Sequence, residues 1–129
     1  MDFSTAVRKV LQENYANFQG RAARSEYWWF FLFVIIVDIA VSILSGILGA
    51  VLGNTGAMIG SLISIVFLLA IIVPGIAVTV RRLHDLDRSG WWIFISLVPL
   101  IGPILLIIWY CTKGSLGPNR FGNDPLGAY

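Results

Sequence analysis

Charged and aromatic side chains gather in three short stretches of this sequence. In the first, residues 20–29, Arg21 and Arg24 are three positions apart, which places them on one face of a helix. Guanidinium groups suit two-point contacts with a phosphate or a carboxylate, and Tyr27 and Trp28 are typical of the headgroup level of a membrane. Two interpretations stay open: a clamp for an anionic lipid or an acidic partner, or an anchor that only fixes topology.

The second stretch, residues 81–92, combines basic and acidic side chains with a histidine. If a helix runs through it, Arg81 and Asp85 form an i,i+4 ion pair. His84 beside Asp85 suits proton transfer or metal coordination, but one histidine without cysteine or a second histidine is a poor metal site. The plainer interpretation is an ion-pair network that holds a tight turn, with Asp87 or Ser89 able to cap the helix that follows.

The third stretch, residues 114–125, is rich in turn-forming residues and lacks the Gly-Lys-Ser/Thr ending of a phosphate loop. The composition predicts a solvated tail. Phe121, which lies between Arg120 and Gly122, favours instead a segment docked on the rest of the protein.

One acidic residue lies inside an apolar run. At the centre of a membrane helix Asp38 would cost about 2.5–3.5 kcal/mol, and the surrounding apolar residues outweigh that cost. Ionisable residues inside membranes mark proton or ion sites by default. The alternative is a structural hydrogen bond to Ser42 in the same helix, or to Ser61 or Ser64 in the next.

The composition indicates whether water or lipid surrounds most of this chain. Of 129 residues, 57% are hydrophobic and only 12% are charged, against about 25% charged in soluble domains. A single domain of this size cannot bury so much apolar surface in its own core, so we predict an all-α integral membrane protein. The net charge of +2 gives no support for nucleic-acid binding.

Three apolar runs have the length of membrane-spanning helices. We predict transmembrane helices over residues 27–48, 59–80 and 91–110, an amphipathic helix over 3–18 in the membrane interface, and a turn-rich tail over 112–129, all in one domain. Lysine and arginine favour the cytoplasmic side. With three spans and a cytoplasmic N-terminus, seven basic residues lie inside and two outside, so the tail is predicted outside. Pro99 and Pro103 leave an alternative to a kinked third span, a re-entrant hairpin that returns the tail to the cytoplasmic side.

The three stretches together resemble the DUF805 family, the YhaH-like small inner-membrane proteins of bacteria. The resemblance lies in Asn14-Tyr15 with residues 18–28, in residues 81–85 with Ser89-Gly90-Trp91-Trp92, and in Gly117 with residues 119–122 and Asp124-Pro125, in the family's order. It implies a location in the bacterial inner membrane. It implies no reaction, so no catalytic residue is carried over.

The sequence shows no nucleophile elbow, zinc-binding HExxH or dinucleotide loop, so we predict no catalytic residue, metal or cofactor. The leading hypothesis is a membrane interaction or scaffold module, with a protein partner or a second copy as ligand. The first alternative is a binder or transporter of an anionic lipid or small solute, and the weaker one is a lipid-modifying enzyme. The candidate binding residues are Arg21, Arg24, Glu26, Tyr27, Trp28, Arg81, Arg82, His84, Asp85, Asn119, Arg120 and Asp124, with Asp38 as a separate intramembrane candidate.

Overall fold

The computed structural model describes residues 2–126, and within them the fold is helical, with a single isolated β-bridge. The elements in chain order are α1 (Phe3–Arg8), a π-helical turn (Lys9–Glu13), α2 (Arg24–Leu52), α3 (Asn54–Asp85), a 3₁₀ helix (Gly90–Leu97) and α4 (Ile101–Cys111).

Helices α2 and α3 form an antiparallel pair, and both are long and apolar enough to cross a membrane. They contain 29 and 32 residues, or about 44 and 48 Å at 1.5 Å per residue. The predicted helices 27–48 and 59–80 lie within them. The sequence of residues 53–56 predicts a tight turn between these helices, and the turn is shorter still, because Gly53 alone, at a φ of 63°, joins them.

A proline lies inside α3 and frees a carbonyl group. Pro74 has no N–H, so the Ala70 carbonyl four residues earlier lacks its helical donor. The Tyr15 hydroxyl, in the segment between the π-helical turn and α2, donates a hydrogen bond to that carbonyl at 2.5 Å. The N-terminal segment thus satisfies the backbone group that the proline exposes.

Residues 91–110 do not form the single kinked helix that was the first prediction. A 3₁₀ helix and α4 replace it, and the chain reverses between them at Leu100, which has a φ of 66°. The Ile101 amide donates to the Pro99 carbonyl at 2.8 Å, which closes a γ-turn. The two arms meet closely at Gly102, where a Cβ atom would lie 1.7 Å from the Ile95 carbonyl oxygen.

Both ends of this hairpin lie at the same end of the α2–α3 pair. The 3₁₀ helix starts just after α3 ends, and α4 returns so that Trp92 and Trp109 pack edge to face at 5.7 Å. The Arg88 guanidinium lies 4.1 Å from the centre of the Trp109 ring. The hairpin alternative therefore describes these residues, and a third spanning helix is not confirmed.

The N-terminal helix is shorter than predicted. It ends at Glu13 and not at residue 18, and Phe18 is 42% exposed. Asn14 explains the end, because its side-chain amide and its backbone amide both donate to the Lys9 carbonyl. The helix packs on α2 through Phe3, which contacts Trp29 edge to face at 5.8 Å.

Candidate functional site

All twelve predicted binding residues lie at one end of the helix pair. We call it the charged end: residues 20–28 at the start of α2, 81–88 at the end of α3, and 110–124 after the hairpin. Its centre is Asp85, which is 4% exposed. Arg21 donates to Oδ1 of Asp85 from Nε at 3.0 Å, and Arg82 donates to Oδ2 at 2.5 Å. Two guanidinium groups thus share one buried carboxylate.

Arg21 also holds the tail on the charged end. Its Nη1 donates to the Gly117 carbonyl at 2.6 Å and its Nη2 to the Ser115 carbonyl at 2.5 Å. The Ser115 amide donates in turn to the Asp85 carbonyl at 2.8 Å. Gly114 permits this approach, since a Cβ there would lie 2.0 Å from Oδ2 of Asp85. The tail is therefore docked, as Phe121 suggested, and not solvated.

Arg82 joins the end of α4 to the same centre. It is fully buried and donates from Nε to the Tyr110 carbonyl at 3.1 Å, and from Nη2 to the Thr112 carbonyl. Its Nη1 also reaches the Ala22 carbonyl at 3.3 Å. One side chain therefore binds the start of α2, the end of α3 and the end of the hairpin.

The expected Arg81–Asp85 pair does not form, although the helix continues through both residues. Arg81 turns to α2 and binds Glu26 at 2.7 Å, and both side chains are buried. Nε and Nη2 of Arg81 and Oε2 of Glu26 have no hydrogen bond, and the Lys9 ammonium lies 4.0 Å from that oxygen. The prediction was wrong because it considered one helix only, and tertiary packing offered each residue a nearer partner.

His84 takes part in docking the tail. Its Nδ1 lies 2.9 Å from the Gly20 carbonyl oxygen, and a carbonyl only accepts, so Nδ1 carries the proton. The His84 ring stacks on the Phe121 ring at 4.0 Å. The side-chain amide of Asn119 donates to the backbone carbonyl of His84 at 2.9 Å. Among residues 2–126 no group of three histidine, cysteine, aspartate or glutamate side chains is placed to hold a metal ion.

The acidic residue of the tail stabilises a turn. Asp124 accepts hydrogen bonds from the amides of Leu126 at 2.9 Å and Gly117 at 3.1 Å. These bonds lower the pKa of Asp124 below its usual value. Arg120 pairs with Asp87 at 3.3 Å on the exposed surface.

The aromatic residues contribute to packing at the same end. Tyr27 lies against Tyr110 with ring centres 4.6 Å apart, and the Trp28 indole donates to the Tyr110 carbonyl at 3.2 Å. Both contacts fix α4 against α2.

Arg24 differs from the other three arginines in the predicted clamp. It is exposed and makes one hydrogen bond, to the Cys111 carbonyl at 3.1 Å, whereas Arg21, Arg81 and Arg82 are at most 6% exposed. Directly after Arg24, an apolar cavity of about 280 Å³ is lined by Ser25, Trp28, Trp29 and Leu32.

Asp38 lies apart from the charged end. It is exposed on α2, and within residues 2–126 it makes none of the hydrogen bonds to Ser42, Ser61 or Ser64 that the sequence offered. The residues that sequence reasoning missed are those that act through backbone carbonyls, at Tyr110, Thr112, Ser115 and Gly117. In the sequence, the only signal for these acceptors is the glycine-rich composition of the tail.

Comparison with known proteins identifies the family. The profile described as "Protein of unknown function (DUF805)" matches residues 15–123. The inner membrane protein YhaI of Escherichia coli is 43% identical over 113 residues, which cover 88% of this chain and 89% of YhaI. The inner membrane protein YhaH of the same organism is 42% identical over 117 residues, 91% of this chain and 93% of YhaH. No solved structure matches. The resemblance seen in the sequence is confirmed, and the chain belongs to the DUF805 family.

Proposed function

We propose that this protein is a non-enzymatic inner-membrane interaction module whose charged end faces the cytoplasm and binds anionic lipid headgroups. The observation that carries the proposal is the division among the four clamp arginines. Arg21, Arg81 and Arg82 are buried and have internal acceptors, so they build the surface and do not contact a ligand. Arg24 is exposed beside an aromatic cavity, so it is the arginine of the four that a ligand can reach.

The distribution of charge supports a cytoplasmic position for this end. With the hairpin in place of a third span, all nine lysine and arginine residues lie before α2 or in its first turn, at the end of α3, or after it. None lies at the Gly53 turn. The three-span arrangement divided them seven to two, so the hairpin satisfies the positive-inside rule better. The N-terminal segment and the tail then lie on the same side of the membrane.

Chemistry at the exposed surface favours an anionic ligand. Glu26 and Asp85 are occupied by buried arginines, and Asp87 is paired with Arg120. Arg24 and Lys113 are exposed with no acidic partner among the described residues. Anionic headgroups attract such side chains by about 1 kcal/mol per basic residue. The adjacent cavity offers apolar walls to the upper part of an acyl chain.

The test is lipid retention by the purified full-length protein in mild detergent, measured by mass spectrometry after exposure to equal amounts of phosphatidylglycerol and phosphatidylcholine. We expect preferential retention of phosphatidylglycerol, and a loss of about fivefold in Arg24→Gln, the equivalent of about 1 kcal/mol. The matched control is the double variant Arg120→Gln/Asp87→Asn, which removes an exposed ion pair without changing the net charge and should leave retention unchanged.

Equal retention of both lipids, or unchanged retention in Arg24→Gln, would overturn the lipid proposal. A partner protein that copurifies with the wild type and is lost in Arg24→Gln would favour the scaffold hypothesis instead. Orientation is tested separately, by membrane-impermeant labelling of a cysteine added before Phe3 or at Leu126 in a Cys111→Ser background. Both cysteines should be protected in intact cells, and labelling of only one would contradict the hairpin topology.

A further inference from the structure

One flank of the α2–α3 pair is polar at membrane depth. Asp38, Ser42 and Ser45 follow i, i+4, i+7 spacing on α2, and Ser61 and Ser64 follow i, i+3 spacing on α3. We call these five residues the polar flank. The four serines line a shared open groove of about 660 Å³ between the two helices.

The acidic member of the polar flank lies at the midpoint of its helix. Helix α2 runs from residue 24 to residue 52, so residue 38 is equally far from both ends. Asp38 is exposed and has no ion pair or hydrogen bond among the described residues. Along α2 and α3, no other ionisable side chain occurs between it and Arg81. Lipid tails offer no hydrogen bonds, and an exposed carboxyl group there requires a polar partner.

The hairpin does not supply that partner. Helix α4 rises about 14 Å from Tyr110, which contacts Tyr27, to Ile101 at its tip, whereas Asp38 lies about 16 Å along α2 from Tyr27. The tip residues are apolar and exposed, with Leu97 and Leu100 at 77% and 79%. The polar flank is therefore at or beyond the end of the hairpin.

We propose that the partner is a second copy of this chain, which packs its polar flank against the same surface of the first. The flank is chemically complementary to itself: each serine hydroxyl both donates and accepts, so the serines of one copy can bond to the serines and to the Asp38 carboxyl group of the other. A twofold axis along the membrane normal brings equal depths together, so the two carboxyl groups and the serines meet in register. Gly46 and Ala57 beside the groove allow close approach of the backbones.

The experiment is disulfide cross-linking of the full-length protein in native membranes, in a Cys111→Ser background. A cysteine replaces Ser42 on the polar flank or, as the matched control, Ile43, which is 60% exposed and points about 100° away around the same helix. With a copper–phenanthroline oxidant, we expect a product of twice the chain mass for Ser42→Cys and none above background for Ile43→Cys. Equal yields at both positions, or a product with the mass of a different protein, would overturn the proposal.

Two further variants test whether Asp38 holds the two copies together. Asp38→Leu suits a lipid-facing position and should give a folded monomer, with at least a tenfold rise in the dissociation constant of the dimer measured by energy transfer in lipid vesicles. Asp38→Asn keeps a donor and an acceptor and should retain the dimer. A dimer of unchanged affinity in Asp38→Leu, or a monomer in Asp38→Asn, would refute hydrogen bonding across the polar flank. The Arg24 lipid experiment is independent of this outcome.

Discussion

Arg21→Lys tests whether Arg21 is needed for its several hydrogen bonds or only for its positive charge. Arg21 donates to Asp85, Ser115 and Gly117 from different nitrogen atoms, at 3.0, 2.5 and 2.6 Å. A lysine ammonium keeps the positive charge but concentrates its donors on one nitrogen at the end of a flexible chain. It can satisfy the carboxylate or a carbonyl of the tail, but not all three acceptors.

The cost follows from the bonds that are lost. Two hydrogen bonds from a charged donor are worth about 1.5 kcal/mol each at the lower limit, so tail docking weakens by about 3 kcal/mol, or about 150-fold. The control is Arg24→Lys, at an exposed arginine that makes one hydrogen bond. Its effect on tail docking should be within about twofold, since exposed polar contacts contribute little.

Hydrogen–deuterium exchange of the detergent-solubilised protein measures this directly. The Ser115 amide donates to the Asp85 carbonyl, so its exchange requires the tail to leave the end of α3. We expect exchange in peptides covering residues 112–126 to rise by up to about 150-fold in Arg21→Lys, which is the factor by which tail docking weakens. Unchanged exchange in Arg21→Lys, or an equal rise in Arg24→Lys, would refute the assignment of Arg21 as the residue that fastens the tail.

Three further outcomes are expected. Gly102→Ala should lower the unfolding temperature in detergent because a methyl group cannot fit against the second arm of the hairpin, and an unchanged temperature would contradict that close approach. Tyr15→Phe should cost about 1–2 kcal/mol by leaving the carbonyl freed by Pro74 unbonded; the same change in a Pro74→Ala background should cost less, and equal costs would contradict the link. The contribution of ionised Asp124 to the turn of the tail should be complete only well above 3.8, the ordinary pKa of the group, and lost as pH falls through the lowered pKa, because protonation removes acceptor strength toward two amides. Exchange of the Gly117 and Leu126 amides, corrected for intrinsic rate, should therefore rise in acid, and Asp124→Asn should remove that pH dependence.

The long helices were predictable because apolar runs without charge have few other structures available. Helices α2 and α3 contain the predicted spans, and their extra residues extend both to the Gly53 turn and into the charged end, where Arg24 and Asp85 are the terminal residues. Hydropathy underestimates the length of such helices, because arginine and aspartate lower the hydropathy at their ends even where the fold buries these side chains. Ser89 does cap the 3₁₀ helix, since its hydroxyl accepts from the Trp91 amide at 3.3 Å.

The hairpin was not distinguishable by composition. Residues 91–110 have the length and hydropathy of a span, and only Pro99 and Pro103 indicated a reversal. The deciding features are local: Leu100 adopts a positive φ, and Gly102 allows the arms to touch. Neither feature has an unambiguous signature in a single sequence, because leucine rarely adopts that conformation.

The candidate residues of the charged end lie together in the structure, but their pairings differ from those that the sequence suggested. Side-chain spacing suggested contacts within one helix, whereas Asp85 joins arginines from two segments and Arg81 reaches across to Glu26. The backbone acceptors that complete the network carry no side-chain signal. A sequence can therefore indicate that charges meet, while the identity of each partner depends on the tertiary packing.

The position of these acceptors along the chain has a consequence for biosynthesis. Arg21 and Arg82 take hydrogen-bond acceptors from Tyr110, Thr112, Ser115 and Gly117, all of which leave the ribosome after α2 and α3 are complete. Until then, Arg21 and Arg82 have Asp85 as a partner but lack these four acceptors. A nascent chain interrupted before residue 110 would insert its helices yet expose at the membrane surface two arginines that the finished protein buries.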